Sequence, residues 1–406
     1  MLWIVVDGMD RAGLDALAAE SPEATLVQLE LRGVSFEHAY AAAPWTGASL
    51  ASALSATLPS THGVRSASDR LRDDVALLPE ALAANGLRTG AVVSDFRLGS
   101  ARGFARGWGA YDSDPALVRG EASSPAVTRG ALAFLRDASR SEERFLLLAH
   151  YSDPRPPLLV HDRARLPERA PKTLATAVDG VGAEGVGLEL LQVMAADVSD
   201  AERDFLRALQ REELRATDAS IGLLLAALRS MGLEESTWVV VSGGHGVELF
   251  EHGWVGDGHG AWEELLHVPC IVVPPGPRRA PRSIAATVSL ASLAPTIAAL
   301  LDTPFDGGAF PSLEAVARGE DLPGDGCAPF EVDHEPAAGP PQVPIEHLRG
   351  VVSGGWKWIE DLRDGSTRLV RPADDPSELR DLAPREAVRA RQLAARLRRV
   401  LQPATP

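Results

Sequence analysis

Short, almost wholly apolar runs separated by stretches of helical periodicity dominate this chain. Leu2–Val6, Thr89–Val93, Phe145–Ala149, Trp238–Val241 and Cys270–Val273 hold too few polar positions for strands with one wet face, so each reads as a strand buried on both faces. Between them, Leu50–Ala56, Leu78–Asn85, Ala126–Arg136, Ala201–Leu228 and Leu290–Leu301 repeat apolar residues at helical spacing, with Gly86 and Gly232 placed to cap two of these helices. The alternation predicts an α/β fold of three layers, a mostly parallel central sheet with helices on both faces.

The pattern changes in three places. Residues 155–200 are rich in Pro, Ala and Gly with weak periodicity, and read as an insertion over the sheet edge or a lid. Glu335–Pro341 is Pro-rich and aperiodic, as a linker would be. Beyond it Gly350–Ser353, Lys357–Glu360 and Thr367–Arg371 read as short antiparallel strands with Asp364-Gly365 as a hairpin turn, and Arg385–Leu401 as a basic closing helix. The expected division is an α/β domain over residues 1–335 and a small C-terminal subdomain, an antiparallel sheet plus helix, over 346–406.

At 406 residues and 45% hydrophobic content the chain can bury one large core and a smaller appendage. A formal net charge of −16 opposes binding to nucleic acid or an anionic membrane surface. No apolar run is long enough for a membrane span, and Met1-Leu2-Trp3-Ile4-Val5-Val6-Asp7 lacks a basic region before its apolar residues, which predicts a cytoplasmic protein. Of the two cysteines, Cys270 lies inside an apolar run and reads as a buried thiol. No feature identifies a protein partner.

Candidate chemistry concentrates where buried strands stop. Ser242-Gly243-Gly244-His245-Gly246 follows an apolar strand and places side chains at the carboxyl edge of a sheet, where open α/β folds build their sites. Asp7 ends the first strand and Thr46 precedes a helical run; each also has a structural reading, a turn cap for Asp7 and a helix N-cap for Thr46. His245, after a glycine pair, reads as a ligand, working or vestigial.

Four segments, taken in order, resemble the sulfatase family of the alkaline phosphatase superfamily. They are Val5-Val6-Asp7; Gly33–Ala41 leading into Ala43-Pro44-Trp45-Thr46-Gly47-Ala48-Ser49-Leu50-Ala51-Ser52 and Pro59-Ser60-Thr61-His62-Gly63-Val64; His150-Tyr151-Ser152-Asp153-Pro154; and Gly244-His245 continuing to Trp262–Pro269. Trp356–Ile359 and Asp374–Leu379 are similar to the family's terminal sheet. The resemblance implies hydrolysis of sulfate or phosphate esters with a divalent metal (Ca, Zn or Mn) that activates the nucleophile. It implies Asp7 and His245 as metal ligands, Thr46 as nucleophile, and Arg155, Asp257 and His259 on a small anionic ester substrate. Thr46 cannot be converted to the formylglycine of a sulfatase proper, so it is similar to the nucleophile of the phosphoryl-transferring branches.

The departures from the family pattern are equally specific. Gly244 stands where the Ser-Asp-His-Gly signature has Asp, Gly8 where many relatives carry a second Asp, and Ala48 and Leu50 where the motif has Pro and a basic residue. Arg155 replaces a substrate-contacting His, and Asp257 replaces a His or Lys, which sets a negative charge against an anionic substrate. The implied function is a sulfatase-family ester hydrolase with a metal site depleted at Gly244 and activity weak or lost. The other reading is an inactive sulfatase-like scaffold, a pseudoenzyme that binds a ligand or a protein. On the sequence alone, Gly244→Asp would restore a ligand and Asp257→His would remove repulsion.

Overall fold

The computed structural model describes the chain apart from residues 118–120, 142, 176–184, 188–189, 192–197, 278–279, 309, 323, 325, 335–345 and 402–406, so the expected linker at Glu335–Pro341 lies outside the described residues. In chain order the strands are β1 (Leu2–Val6), β2 (Val34–Tyr40), β3 (Arg88–Val93), β4 (Ala110–Asp112), β5 (Phe145–Tyr151), β6 (Leu158–Leu159), β7 (Gly185–Val186) and β8 (Val239–Gly243). There follow β9 (Glu248–Leu249), β10 (Val255–Gly256), β11 (Cys270–Val273), β12 (Arg282–Ser289), β13 (Ala328–His334), β14 (Glu346–Ser353), β15 (Trp356–Asp361) and β16 (Thr367–Val370).

Eight of them form one sheet in the order β12-β2-β11-β8-β1-β5-β3-β4. Only β11 runs against its neighbours; the other pairings are parallel. The central strand explains the apolar runs. Leu2, Ile4 and Val6 pack with Leu14, Leu26, Val127 and Ile221 of four helices on one face, while Trp3 and Val5 pack with Leu50, Leu82 and Ile297 of three helices on the other. A strand covered on both faces has no use for alternating polar residues.

Sequence and structure differ where the apolar signal is weak. β2 interrupts its apolar residues with Glu37 and His38, and β12 is an edge strand that opens on Arg282 and Ser283 and alternates exposed with half-buried residues as far as Ala286, so neither presents a continuous run. The helix expected from Leu50 begins at Thr46, because its first turn is built of Thr46, Gly47, Ala48 and Ser49, all buried by tertiary contacts rather than marked by apolarity. Gly86 and Gly232 both adopt positive φ just past their helices, the left-handed conformation a C-terminal cap requires.

Within residues 155–200, Leu158, Leu166, Leu174 and Val186 pack on Phe205, Leu206 and Leu209 of the helix Asp200–Ser230, forming a satellite core beside the sheet edge. The C-terminal sheet, β13-β14-β15-β16, is antiparallel throughout. One face receives Leu393 and Leu397 of the helix Ala387–Leu401, and the other adds Phe330, Val332 and Ile359 to the main core. Among the described residues no helix is long and apolar enough to cross a membrane.

A buried charge cluster fastens this sheet to the α/β layers. Lys357 of β15, fully buried, donates to the Ala261 carbonyl at 2.8 Å and forms ion pairs with Glu263 at 2.8 Å and Glu378 at 2.6 Å. Tyr40 at the end of β2 and His267 both reach the other oxygen of Glu263. Removing the ammonium strands two carboxylates in a dry setting, so Lys357→Met is expected to cost about 3–5 kcal/mol of stability, measurable by denaturant unfolding.

Candidate functional site

Parallel register brings four strand ends to one place. β1 is flanked by β5 and β8, with Val6 opposite Tyr151 on one side and Gly243 on the other, so the residues that follow emerge side by side. The Asp7 N–H donates to the Tyr151 carbonyl at 2.9 Å and the Gly244 N–H to the Val6 carbonyl at 3.1 Å, which fixes Asp7 and His245 beyond the sheet edge. Next to β5, β3 delivers Asp95, and the helix Thr46–Ser55 presents Thr46 at its first residue.

Asp7, Thr46 and His245, distant in sequence, lie together. The Thr46 hydroxyl donates to Asp7 Oδ2 at 2.6 Å, and His245 Nε2 lies 3.2 Å from the same hydroxyl and 3.4 Å from Asp7 Oδ2. His245 Nδ1 donates to the Gly246 carbonyl at 2.7 Å, which fixes the ring and aims Nε2 at Thr46. All three side chains are buried. Burial alone would push the Asp7 carboxyl up, but His150 and His245 together reverse this and hold it well below the usual range.

Asp95 and Arg97 join this group without having been singled out in the sequence, and His150 joins it from a segment that carried the resemblance but had no role assigned. His150 Nε2 faces Asp7 Oδ2 at 3.0 Å. Arg97 forks onto Asp95 through Nε at 3.0 Å and Nη2 at 2.8 Å, and its Nη2 also donates to the Thr46 hydroxyl at 2.9 Å. The usable signal was positional: Asp95 follows a buried strand as Asp7 does, and His150 interrupts an otherwise apolar one.

Arg155 and Asp257 close the cluster on its solvent side. Arg155 donates from Nη2 to Asp95 Oδ2 at 2.6 Å and from Nη1 to Asp257 Oδ2 at 3.0 Å, and its Nε lies 3.9 Å from Asp7 Oδ2. Arg97 Nη1 donates to the other oxygen of Asp257 at 3.0 Å. Burial opposes ionisation of both acids, yet Arg97 and Arg155, joined at Asp257 by His245, outweigh it and hold Asp95 and Asp257 far below the ordinary carboxylate range. The charge of Asp257 is thus neutralised within the protein, which removes the premise that it merely repels a substrate. His259 is directed toward Glu248, with Nε2 3.1 Å from a carboxylate oxygen, on the loop that also carries Asp257.

A divalent cation needs roughly four to eight donors aimed at one point. Here Asp95 and Asp257 each give Oδ2 to the Arg155 guanidinium, Asp7 Oδ2 accepts from Thr46 and faces His150, and the unpartnered acceptor among the three acids is Asp7 Oδ1. That oxygen leans over Gly244: a Cβ at residue 244 would lie 2.0 Å from it. A side chain at residue 244 would therefore require the Asp7 carboxylate to turn aside, and the donors as arranged do not fit a metal ion.

A second group, Glu248, His252 and Glu264, has ligand atoms within 4.8 Å of one another. His252 Nδ1 faces Glu264 at 2.7 Å, its Nε2 faces the Ser377 carbonyl at 3.0 Å, and the ring stacks on Trp262 at 3.8 Å. Both partners only accept, so both nitrogens carry protons, and neither has a lone pair for a metal. Burial works against that charge, but Glu264 prevails and raises the pKa to about 9.

Two outcomes follow from this geometry. Gly244→Ala is expected to destabilise the protein by about 1–3 kcal/mol in thermal or denaturant unfolding, the range for overpacking a filled interior, and Gly244→Asp should gain no affinity for divalent metals in calorimetric titration. For His252 the folded pKa, about 9, lies above the unfolded value near 6.5, so its stabilisation is complete below about pH 6.5 and fades as pH rises through 9. A His252→Gln variant should lose the part of the stability–pH slope that the parent shows over that window.

Residues 1–303 match the sulfatase family. Among solved structures, the chain superimposes with a TM-score of 0.77 at 17% identity, over 98% of its length and 96% of the other, on a protein crystallised with its substrate D-glucosamine-2-N,6-O-disulfate. It superimposes on the phosphonate monoester hydrolase of Agrobacterium radiobacter with a TM-score of 0.72 at 17% identity, covering 98% and 94% of the two chains. For the phosphonate monoester hydrolase of Silicibacter pomeroyi the values are 0.69, 19%, 99% and 94%. No curated protein sequence matches the chain. The fold, mixed α/β with a large mostly parallel sheet and a small C-terminal antiparallel one, is that of these structures, and the match over residues 1–303 places the chain in the sulfatase family.

Proposed function

We propose that this chain is a sulfatase-family protein whose metal site is depleted and whose cationic role has passed to guanidinium groups, leaving a protein that binds an anionic ester with little or no metal-dependent turnover. The observation that carries the reading is Arg155, whose single guanidinium lies within 4 Å of all three carboxylates, at 3.9 Å from Asp7, 2.6 Å from Asp95 and 3.0 Å from Asp257. Three carboxylates around one cation is the donor arrangement of a metal site with an arginine in the centre.

Asp7, Thr46 and His245 retain part of the hydrolytic equipment in this reading. Asp7 accepts a hydrogen bond from the Thr46 hydroxyl and orients it, and Arg97, donating to the hydroxyl oxygen, favours its ionised form. What is taken up is the ground next to them, where Asp257 engages both arginines. The structurally similar proteins include one bound to a disulfated sugar and two phosphonate monoester hydrolases, which supports an anionic ester as the ligand class. The charge balance supports binding over turnover.

Elemental analysis of the purified, undialysed protein tests this, with far less than one Ca, Mn or Zn expected per chain. Arg155→Met should destabilise the protein by about 3 kcal/mol through its stranded carboxylates. It should also acquire divalent-metal affinity that restores about 2–3 kcal/mol when the metal is near a hundredfold above Kd. Stoichiometric metal in the parent, with turnover of an aryl phosphate or sulfate that Thr46→Ala abolishes, would refute the reading.

A further inference from the structure

Asp257 makes contacts that an external oxyanion would make. Its two carboxylate oxygens are each held by a different arginine, Oδ1 by Arg97 Nη1 and Oδ2 by Arg155 Nη1, both at 3.0 Å. The remaining contacts of those guanidiniums run inward and are rigidly based. Asp95, nearly fully buried, accepts from the Arg97 backbone N–H at 2.7 Å and from both guanidiniums, so the two Nη1 groups are fixed in position whatever Asp257 does. Two convergent N–H donors on immobilised arginines form a seat for an oxyanion. That seat adjoins the nucleophile, because Arg97 Nη2 donates to the Thr46 hydroxyl at 2.9 Å.

The carrier of Asp257 differs from those of the other two acids. Asp7 and Asp95 follow strands of the main sheet, whereas Asp257 follows the two-residue strand β10. Gly256 and Gly258 flank it, and Gly253, Gly256, Gly258 and Gly260 all adopt positive φ. The Gly258 N–H is tied to the Pro44 carbonyl at 2.9 Å, so the loop stays anchored while the Asp257 side chain, without bulky neighbours in sequence, is the element able to swing. Asp257, Arg97 and Arg155 are 13%, 14% and 13% exposed, against 1% for Asp7 and 3% for Asp95, so the seat is reached from solvent through this residue.

We infer that Asp257 is a built-in counter-anion that occupies an oxyanion seat formed by Arg97 and Arg155, and that the sulfate or phosphate group of an anionic ester binds by displacing it. This rests on the proposed metal-free reading and adds what controls ligand entry. A seat occupied by its own carboxylate for all but a small fraction of the time binds an external anion more weakly by that fraction.

Calorimetric titration of the full chain with inorganic sulfate and, separately, inorganic phosphate tests the inference and distinguishes the two anions. Asp257→Asn is expected to bind at least one of them about tenfold or more tightly than the parent, as expected when a competitor present ~90% of the time is removed. Arg97→Met in the Asp257→Asn background should abolish that gain. A folded Asp257→Asn protein with parental affinity for both anions overturns the inference. Should that variant fail to fold, the side-chain carboxyl carbon resonance of Asp257 in the parent decides: concentrated sulfate or phosphate should shift it as the carboxylate leaves the two arginines, and an unchanged resonance with both anions overturns the inference. A metal-free parent combined with either negative result removes the counter-anion alone, while stoichiometric metal in the parent removes the reading beneath it as well.

Discussion

The burial of Asp7 at the end of the central strand sets the terms for the rest of the site. A carboxylate taken out of water is stable only if cations or donors replace the lost solvation. In this chain the replacement is supplied by side chains: His150 and His245 against Asp7, then Arg155 and Arg97 across Asp95 and Asp257. Each partner brings a further charge that must in turn be met. Two arginines added to one acid demand more acids, and Asp95 and Asp257 supply them. The network ends where Arg97, Arg155 and Asp257 reach solvent.

The same physical problem is solved a second time where the C-terminal sheet meets the α/β layers. Lys357 sits between Glu263 and Glu378 with no solvent access, and the His267 ring, stacked on Tyr40 at 4.9 Å, adds a second group against Glu263. Buried ion pairs of this kind contribute little net stability compared with apolar packing, but they are costly to break one partner at a time. They therefore specify orientation: β15 can dock in the register that returns Lys357 to its two acids, and other registers leave three charges unpaired. Glu263 belongs to the short helix that follows the Asp257 loop, so the docking of the terminal sheet also fixes one end of that loop.

How much of this was legible depended on whether a feature is local in the chain. Strands buried on both faces announce themselves as apolar runs, which is why β1, β3, β5, β8 and β11 could be placed from sequence. β2 and β12 could not, because their burial comes from neighbours rather than from their own composition. In the site, residues that directly follow an apolar run or a glycine pair, Asp7 and His245, stood out, and Thr46 stood out by resemblance. Asp95, Arg97 and His150 act through pairings 51 to 143 residues away for Thr46–Arg97 and Asp7–His150, and no local pattern encodes such pairings. The sign of Asp257 was readable, but its consequence was not. An acid beside an anion site repels a ligand if it is unpaired, and becomes a competitor for the ligand's seat if two arginines already hold it.

That distinction bears on Gly244 as well. Read as an isolated loss, it suggests that restoring one carboxylate restores a site. In the folded chain the Asp7 carboxylate leans toward Gly244, and its Oδ1 stands 2.0 Å from where a Cβ would be. The positive charge nearest to Asp7, Asp95 and Asp257 together is the Arg155 guanidinium. An added Asp at residue 244 would therefore meet a steric obstacle and bring a fourth acid to a cluster of three acids and two arginines. On the proposed reading Gly244, Arg155 and Asp257 act together: the glycine gives Asp7 room to lean, Arg155 supplies positive charge to the three acids, and Asp257 occupies the donors the arginines leave over. Changing any one of them alone exposes a charge or a clash, so on that reading divalent-metal affinity is gained by changing Arg155 before it is gained by changing Gly244.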